Sequence, residues 1–477
     1  MSCLRNRPTG LLISAFLIFL FATGSPLCPW IQPAQAFSVG EEREVGEKLL
    51  TLIRQSELLL DDPDIVQYIN RLGRQILKTS GSPEYFDYQF FVISNKEFNA
   101  FAAPSGLIFI HSGLIEVTES EDELVSVIAH EIGHVASRHI AEQIEKSSKI
   151  SIGTAAMILA GIAMGGGPLA GALITGSLAA NASAGLYYSR QNEEEADRLA
   201  FNSMQAMNRD PVSMISMFEK MRKISQYKMG AVPPYLLSHP EPAARQGYIQ
   251  DLLISKKTTN YPITDQFAFN RIKRRILAYS KDPASLIPRY LKVTTTEGAD
   301  QTTKAMAYYG LFQVYSSTAD YPRARQALSE TMTVFQDRPL LLADLGNLLF
   351  QEGKFEEAQK TFERAKAADP DNSYITFNLA RVLEQQGDAK AALALYEELL
   401  PVQPTSPRLH YQIGQIMDAQ GNKPQSYYHL GLFFWYKGDP GNAKFHLKQT
   451  IKALPAGDPI RIQAEVILAT INRIEKV

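Results

Sequence analysis

The sequence predicts an α+β chain, mostly α: a front half mixing helices with a small β-sheet, then a rear half of repeated helix pairs. Three observations carry this. Two short runs rich in aromatic and β-branched residues, Tyr88–Ile93 and Leu107–His111, read as strands. Around them, apolar residues recur at helical spacing. From Pro339 onward the chain repeats itself every 34 residues.

At 477 residues, 45% of them hydrophobic, the chain can bury a sizeable core in about two domains. The formal net charge of -2 gives no reason to expect nucleic acid or an acidic polymer as partner. Arg5 and Arg7 precede an apolar run from Leu11 to Ala22, and Ala34-Gln35-Ala36 offers a small-x-small cleavage site. Residues 1–36 therefore read as a signal peptide, and the chain as exported. Cys28 invites a lipoprotein reading, but Leu27 stands where a lipobox wants Gly or Ala. Losing residues 1–36 removes Arg5 and Arg7, taking the net charge from -2 to -4, and removes both cysteines, Cys3 and Cys28. The remaining core must hold without disulfides in an oxidising compartment.

Residues 37–263 read as the first domain. One helical pattern runs through Val45, Leu49, Leu52 and Ile53, and a second through Ile65, Ile69, Leu72 and Ile76, with Asp61–Asp64 breaking between them. Asn99–Gly106 reads as a turn between the two strands. Ser120 with Glu123 reads as the capping box of the next helix. Ile150–Ala184 contains no charged residue and is interrupted by Gly165–Pro168. Later segments read as a helix opening at Glu193–Arg198 and a Met-rich helix through Met214, Met217 and Met221, whose sulfurs are core filler.

Residues 264–304 read as connecting helices, and 305–477 as the repeat domain. In the unit from Pro339, Leu345-Gly346, Ala358, Phe362, Ala365 and Pro370 occupy the positions of a tetratricopeptide repeat. The unit from Ser373 reproduces them with Leu379-Ala380, Ala392, Tyr396 and Pro404. A weaker unit starts at Ala305. A third in-register unit opens at Ile413-Gly414 and breaks up, and the register restarts with Leu430-Gly431, Ala443, Leu447 and Pro455.

The chemistry centres on His130-Glu131-Ile132-Gly133-His134. Histidines four apart on a helix project from one face, where a single Zn²⁺ can take both imidazoles, and Glu131 between them can act as general base. By this composition the pattern arises by accident in roughly one such sequence in a hundred. Its flanks (Leu124, Val125, Val127, Ile128, Val135) predict a buried helix in which unliganded imidazoles would be costly. A catalytic site needs a third protein ligand. His139 is five residues past His134, so helical spacing points it away, as a surface residue. His111 reads as structural. The acidic cluster offers Glu193, Glu194 or Glu195. Glu193 and Asp197 are one turn apart, so a ligand and a carboxylate that orients an imidazole would share a face.

The apolar stretch is limited by geometry. A single membrane crossing would put His134 and Glu193 on opposite sides of ~30 Å of hydrocarbon, and two crossings need about 40 apolar residues. What fits is a helical hairpin, Ile150–Met164 and Leu169–Ala184 about the Gly165–Pro168 turn, packed into the protein or dipped into one leaflet.

His130-Glu131-Ile132-Gly133-His134, Asn99-Ala100-Phe101-Ala102-Ala103-Pro104 and Ser189-Arg190 through Glu193-x-Glu195-Ala196-Asp197 together resemble the HtpX/CAAX-protease clan of gluzincin metallopeptidases. The resemblance covers roughly residues 40–250, and the exported form with C-terminal repeats is similar to the clan's periplasmic branch. It implies one Zn²⁺ per chain, held by His130, His134 and Glu193. It implies a periplasmic endopeptidase with a chaperone-like role, acting on misfolded or stalled outer-membrane proteins. The partners implied are unfolded or misassembled protein substrates and, through the repeats, the outer-membrane protein assembly machinery, with peripheral membrane association. It also draws attention to His239-Pro240, with Arg245 beyond. His239 could donate to an oxyanion or occupy the open metal position, two roles with opposite consequences. The competing reading is a repeat-based binding or adaptor protein with a latent or structural metal site. An intact Glu131 argues against it, since a structural site needs no base.

Overall fold

The computed structural model describes residues 37–81, 86–146, 150–164, 188–227, 235, 238–240, 242–255 and 260–476. The expected signal peptide and the second limb of the apolar hairpin lie outside the described residues. From Val39 onward the chain forms one compact unit.

Helix α1 (Val39–Gln55) buries Val45, Leu49 and Ile53, and α2 (Pro63–Ser80) buries Ile65, Ile69, Leu72 and Ile76, the apolar stripes visible in the sequence. Asp62 starts α2: its Oδ1 accepts the N–H groups of Asp64 at 3.0 Å and Ile65 at 3.2 Å, two donors that the first turn leaves unpaired.

Three strands follow, β1 (Gln89–Ile93), β2 (Ala100–Ala103) and β3 (Leu107–His111), in the spatial order β1-β3-β2. β3 is parallel to β1 and antiparallel to β2, with Phe101 opposite Phe109. The turn expected over Asn99–Gly106 is therefore shorter than expected. Ala100–Ala103 is a strand, and only Pro104–Gly106 turns, with Ser105 at φ 71°. Alanine has little intrinsic strand preference, so local sequence hides β2. What makes it a strand is pairing with β3 and an approach to the next long helix that small side chains permit.

After α3 (Ser112–Val117), helix α4 (Glu121–Ala136) carries the two histidines. Ser120 Oγ accepts the Glu123 N–H at 3.2 Å, as a capping box requires, but Glu123 Oε2 accepts the N–H of Glu119 instead of Ser120, at 2.6 Å. Then come α5 (His139–Lys146), α6 (Ile152–Ala163), α7 (Arg190–Ala206), α8 (Val212–Tyr227) and α9 (Pro242–Ser255). Helix α6 is the first limb of the expected hairpin; it is buried and packs on α1. Among the described residues no helix is long and apolar enough to cross a membrane. Gly133 brings α4 and α7 together: a Cβ there would sit 3.0 Å from the backbone of Ala196, so glycine sets how closely the two helices pass. The sheet, α2, α4, α7, α8 and α9 share one core with α10 (Phe267–Ser280).

The rear half is a run of antiparallel helix pairs, from Gln301–Ser317 with Tyr321–Val334 to Lys423–Tyr436 with Pro440–Ala453, closed by Pro459–Lys476. The broken register near residue 413 has a physical explanation. Gly346 abuts Phe362 sixteen residues on, and Gly414–Leu430 and Gly431–Leu447 repeat that contact. Helix Lys423–Tyr436 thus serves as second helix of one pair and first helix of the next. The repeats curl against α1 and α2. Arg271 of α10 is fully buried, with Nη1 2.5 Å from Asp64 and two donors each 2.8 Å from Asp344. Arg275 grips Asp62 at 3.0 and 2.9 Å, and Lys48 Nζ donates to the Ile474 carbonyl at 2.8 Å.

Candidate metal centre

Four ligand-type side chains converge beneath β2: His130 and His134 from α4, Glu193 from the first turn of α7, and His239, whose N–H donates to the Tyr235 carbonyl. All four are buried. His130 Nε2 and His134 Nε2 lie 2.9 Å apart, and His239 Nδ1 is 3.3 Å from His130 Nε2 and 2.9 Å from Glu193 Oε1. Glu193 Oε1 is 3.3 Å from His134 Nε2. Four ligands at 2.0–2.1 Å from one tetrahedral ion would be separated by ~3.3 Å. The donor set and its spacing fit zinc.

The surrounding charges hold these groups in the right protonation states. Burial, then the neighbouring His130, pushes His134 well below the usual histidine range, leaving a neutral imidazole. Burial alone would raise Glu193, but Arg245 and His239 outweigh it and keep the carboxyl well below its usual range. Asp197 is lowered in the same way: Arg245 and His130 override burial. Arg245 chelates Asp197 at 2.8 and 2.7 Å and reaches Glu193 Oε2 at 2.5 Å. Asp197 Oδ1 sits 2.8 Å from His130 Nδ1, which leaves the opposite nitrogen free to ligate.

Glu131 lies beside this set. Its Oε2 accepts the Ala102 N–H of β2 at 2.8 Å. Its Oε1 is buried without a hydrogen-bond partner, as is His239 Nε2 at 3.6 Å. Tyr188 stacks on His134 with ring centroids 3.7 Å apart, and Tyr235 on His239 at 4.3 Å. A small cavity of about 10 Å³ lies behind His130, between α4 and α8, lined by Asp197, Met217 and Tyr235. The larger cavity, about 310 Å³, lies elsewhere, between α2 with β1 and residues 401–407.

Each residue expected at the site from the sequence is in this cluster. His139 is a correction: it is not a surface residue but is buried, with Nδ1 2.9 Å from His134 Nδ1. Helical spacing misled because α4 stops at Ala136, and Arg138, at φ 54°, reverses the chain before α5 begins. That left-handed conformation costs a non-glycine residue ~1–3 kcal/mol, and the Arg138 Nε–H donating to buried Glu42 Oε1 at 2.6 Å holds it. Glu195 points away from the four ligand atoms and accepts from Ser137 Oγ at 2.7 Å. The Ala102 amide and the two stacking tyrosines carry no local sequence signal.

Comparison with known proteins agrees with this geometry. The sequence profile of peptidase family M48 matches residues 64–252, and a tetratricopeptide-repeat profile matches residues 343–407. Residues 64–252 are thus similar to the peptidases of family M48. The M48 match encloses all four ligand-type residues and Glu131. The beta-barrel assembly-enhancing protease of Escherichia coli K12 is 29% identical over 71% of this chain and 62% of its own length. The Yersinia pestis protein of that name is 30% identical over 66% of this chain and 62% of its own. The chain thus spans about three fifths of the length of these relatives. The metalloprotease LoiP of E. coli is 29% identical over 38% of this chain and 66% of its own length.

Proposed function

We propose that this chain is a zinc-dependent endopeptidase of the periplasm that acts on misfolded or stalled outer-membrane proteins, with its repeats binding the client or the assembly machinery. The single observation that carries the reading is the convergence of His130, His134, Glu193 and His239 on one point, with the open Oε1 of Glu131 beside it. The relatives' name supplies the substrate class, β-barrel proteins under assembly. Export by residues 1–36, with peripheral contact to a membrane, suits that role. In this reading residues 37–263 are the catalytic domain, 264–304 connect, and 305–477 are the recognition domain.

Zinc held by His130, His134 and Glu193 would supply Lewis-acid polarisation of a scissile carbonyl and of a nucleophilic water. The chain's own groups do the rest. Glu131, oriented by the Ala102 N–H, takes the proton from the nucleophile on its open Oε1 and later returns it to the leaving amine. Asp197 fixes the His130 tautomer, and Arg245 keeps Glu193 and Asp197 charged. His239 belongs to the resting state: its Nδ1 lies against His130 Nε2 and Glu193 Oε1, so it would ligate a bound metal and would have to move aside before a peptide could bind.

The fourth ligand-type residue, His239, also favours one alternative, an adaptor with a latent site. Expressing Glu131→Gln in cells separates the two. A protease with its base removed should retain zinc and accumulate uncleaved clients, whereas an adaptor should show the same bound set as wild type.

A further inference from the structure

Both histidines of the ligand helix end on a carboxylate, but by different routes. His130 reaches Asp197 directly. His134 does not: its Nδ1 meets His139 Nδ1 at 2.9 Å, and His139 Nε2 lies 3.5 Å from Glu195 Oε2. The other oxygen of Glu195 accepts from Ser137 Oγ at 2.7 Å, and its side chain is 59% exposed. The direction of each hydrogen bond follows from chemistry. For His134 Nε2 to present a lone pair, its Nδ1 must carry the proton and donate. His139 Nδ1 must then accept, so the proton of His139 sits on Nε2 and points to Glu195.

We propose that His139 is a positioning residue for the metal centre, locking the His134 tautomer and ring orientation, and that Glu195 sets the tautomer of His139 in turn. The inference rests on the proposed zinc site. Arg138 accepts a left-handed conformation, anchored by Glu42, and the reversal returns His139 beneath His134. The acidic run on α7 thereby divides its labour: Glu193 faces the four-atom cluster, while Glu195, two residues on, faces the outer side of the same imidazole pair.

The test uses the full chain, stripped of metal and retitrated with zinc against a chromophoric chelator. Asn at 139 can place its Oδ1 where Nδ1 stood, preserving the acceptor for His134. Gln reaches only the Nε2 position, and Leu offers neither. His139→Asn should bind zinc within about 3-fold of wild type, whereas His139→Gln and His139→Leu should lose ~10–100-fold. The visible d–d spectrum of cobalt-loaded protein should change for Gln and Leu and not for Asn, a difference that a packing role would not produce. Glu195 is exposed, so its variants keep the fold: Glu195→Gln, which retains an acceptor oxygen, should match wild type, and Glu195→Leu should lose a few-fold. Equal zinc affinity across Asn, Gln and Leu, or Asn no better than Leu, overturns the proposal. Wild-type protein that takes up no zinc overturns the proposed function itself, and the role of His139 with it.

Discussion

Glu131 Oε1 and His239 Nε2 face each other across 3.6 Å, both buried and neither with a hydrogen-bond partner. Elsewhere around the site each carboxylate is gripped: Asp197 by Arg245 and His130, Glu193 by Arg245, His134 and His239. Glu193 Oε2 and Arg245 Nη1 also lack hydrogen bonds but form an ion pair, so the atoms left open to a nucleophile and a substrate carbonyl are those of Glu131 and His239.

The ligand and the base should separate by mutation. Glu131→Gln is expected to retain about one zinc per chain and to lose ~10²–10⁴-fold in proteolysis. Glu193→Gln should lose both metal and activity. Elemental analysis alongside a casein-cleavage assay reads both quantities. Full metal and activity in Glu193→Gln, with loss in Glu195→Gln, would refute the ligand assignment.

The position of His239 at the fourth corner gives a signed prediction. His239→Ala should keep zinc and raise basal proteolysis, on the order of tenfold, because the resting obstruction is gone. A comparable fall in turnover at saturating substrate would instead make His239 an oxyanion donor. Unchanged activity would leave it a packing residue.

The seam between α2, α10 and the repeats depends on buried charge. Arg271 bridges Asp64 and Asp344 with no solvent exposure. Arg271→Met removes the nearer guanidinium from both carboxylates, leaving Arg275 3.6 Å from each, and should cost ~3 kcal/mol. Urea denaturation measures the loss, and limited proteolysis should cut near residue 260 sooner than in wild type. Wild-type stability in this variant would mean that the seam is held by apolar contacts alone.

Acid should erode stability in two windows. Burial lowers His111 to about 4, below the ~6.5 of an unfolded histidine, so between those values the unfolded chain binds the extra proton. Stability from this group is complete above pH ~6.5 and falls as pH drops toward 4, by ~3 kcal/mol at most. Burial opposes the charge on Asp62, but Arg275 and Tyr279 outweigh it and hold the carboxyl at about 2. Its contribution, roughly 2–3 kcal/mol, is complete above pH ~4 and disappears as pH falls through about 2. Replacing His111 with Leu should flatten the melting-temperature profile between pH 6.5 and 4 and leave the lower window intact. An unaltered slope would exclude His111 as its source.

Sequence alone determined what depends on spacing within one element. The His130/His134 face, the Glu193/Asp197 face one turn apart, the apolar stripes of α1 and α2 and the repeat register are all set by helical periodicity, a local property. Whatever depends on chain reversal or on contact across elements was decided by the tertiary structure. Four alanine- and phenylalanine-rich residues became β2 because β3 offered a pairing edge, and their N–H then fell within reach of Glu131. Choosing among Glu193, Glu194 and Glu195 required the approach of α7 to α4 that Gly133 permits. His139 was misread because the five-residue offset assumes a continuous helix, and a single left-handed residue, Arg138, breaks it and carries the imidazole back to His134. Local propensity cannot foresee such a reversal, because the strain at Arg138 is offset by Glu42, 96 residues away in the chain.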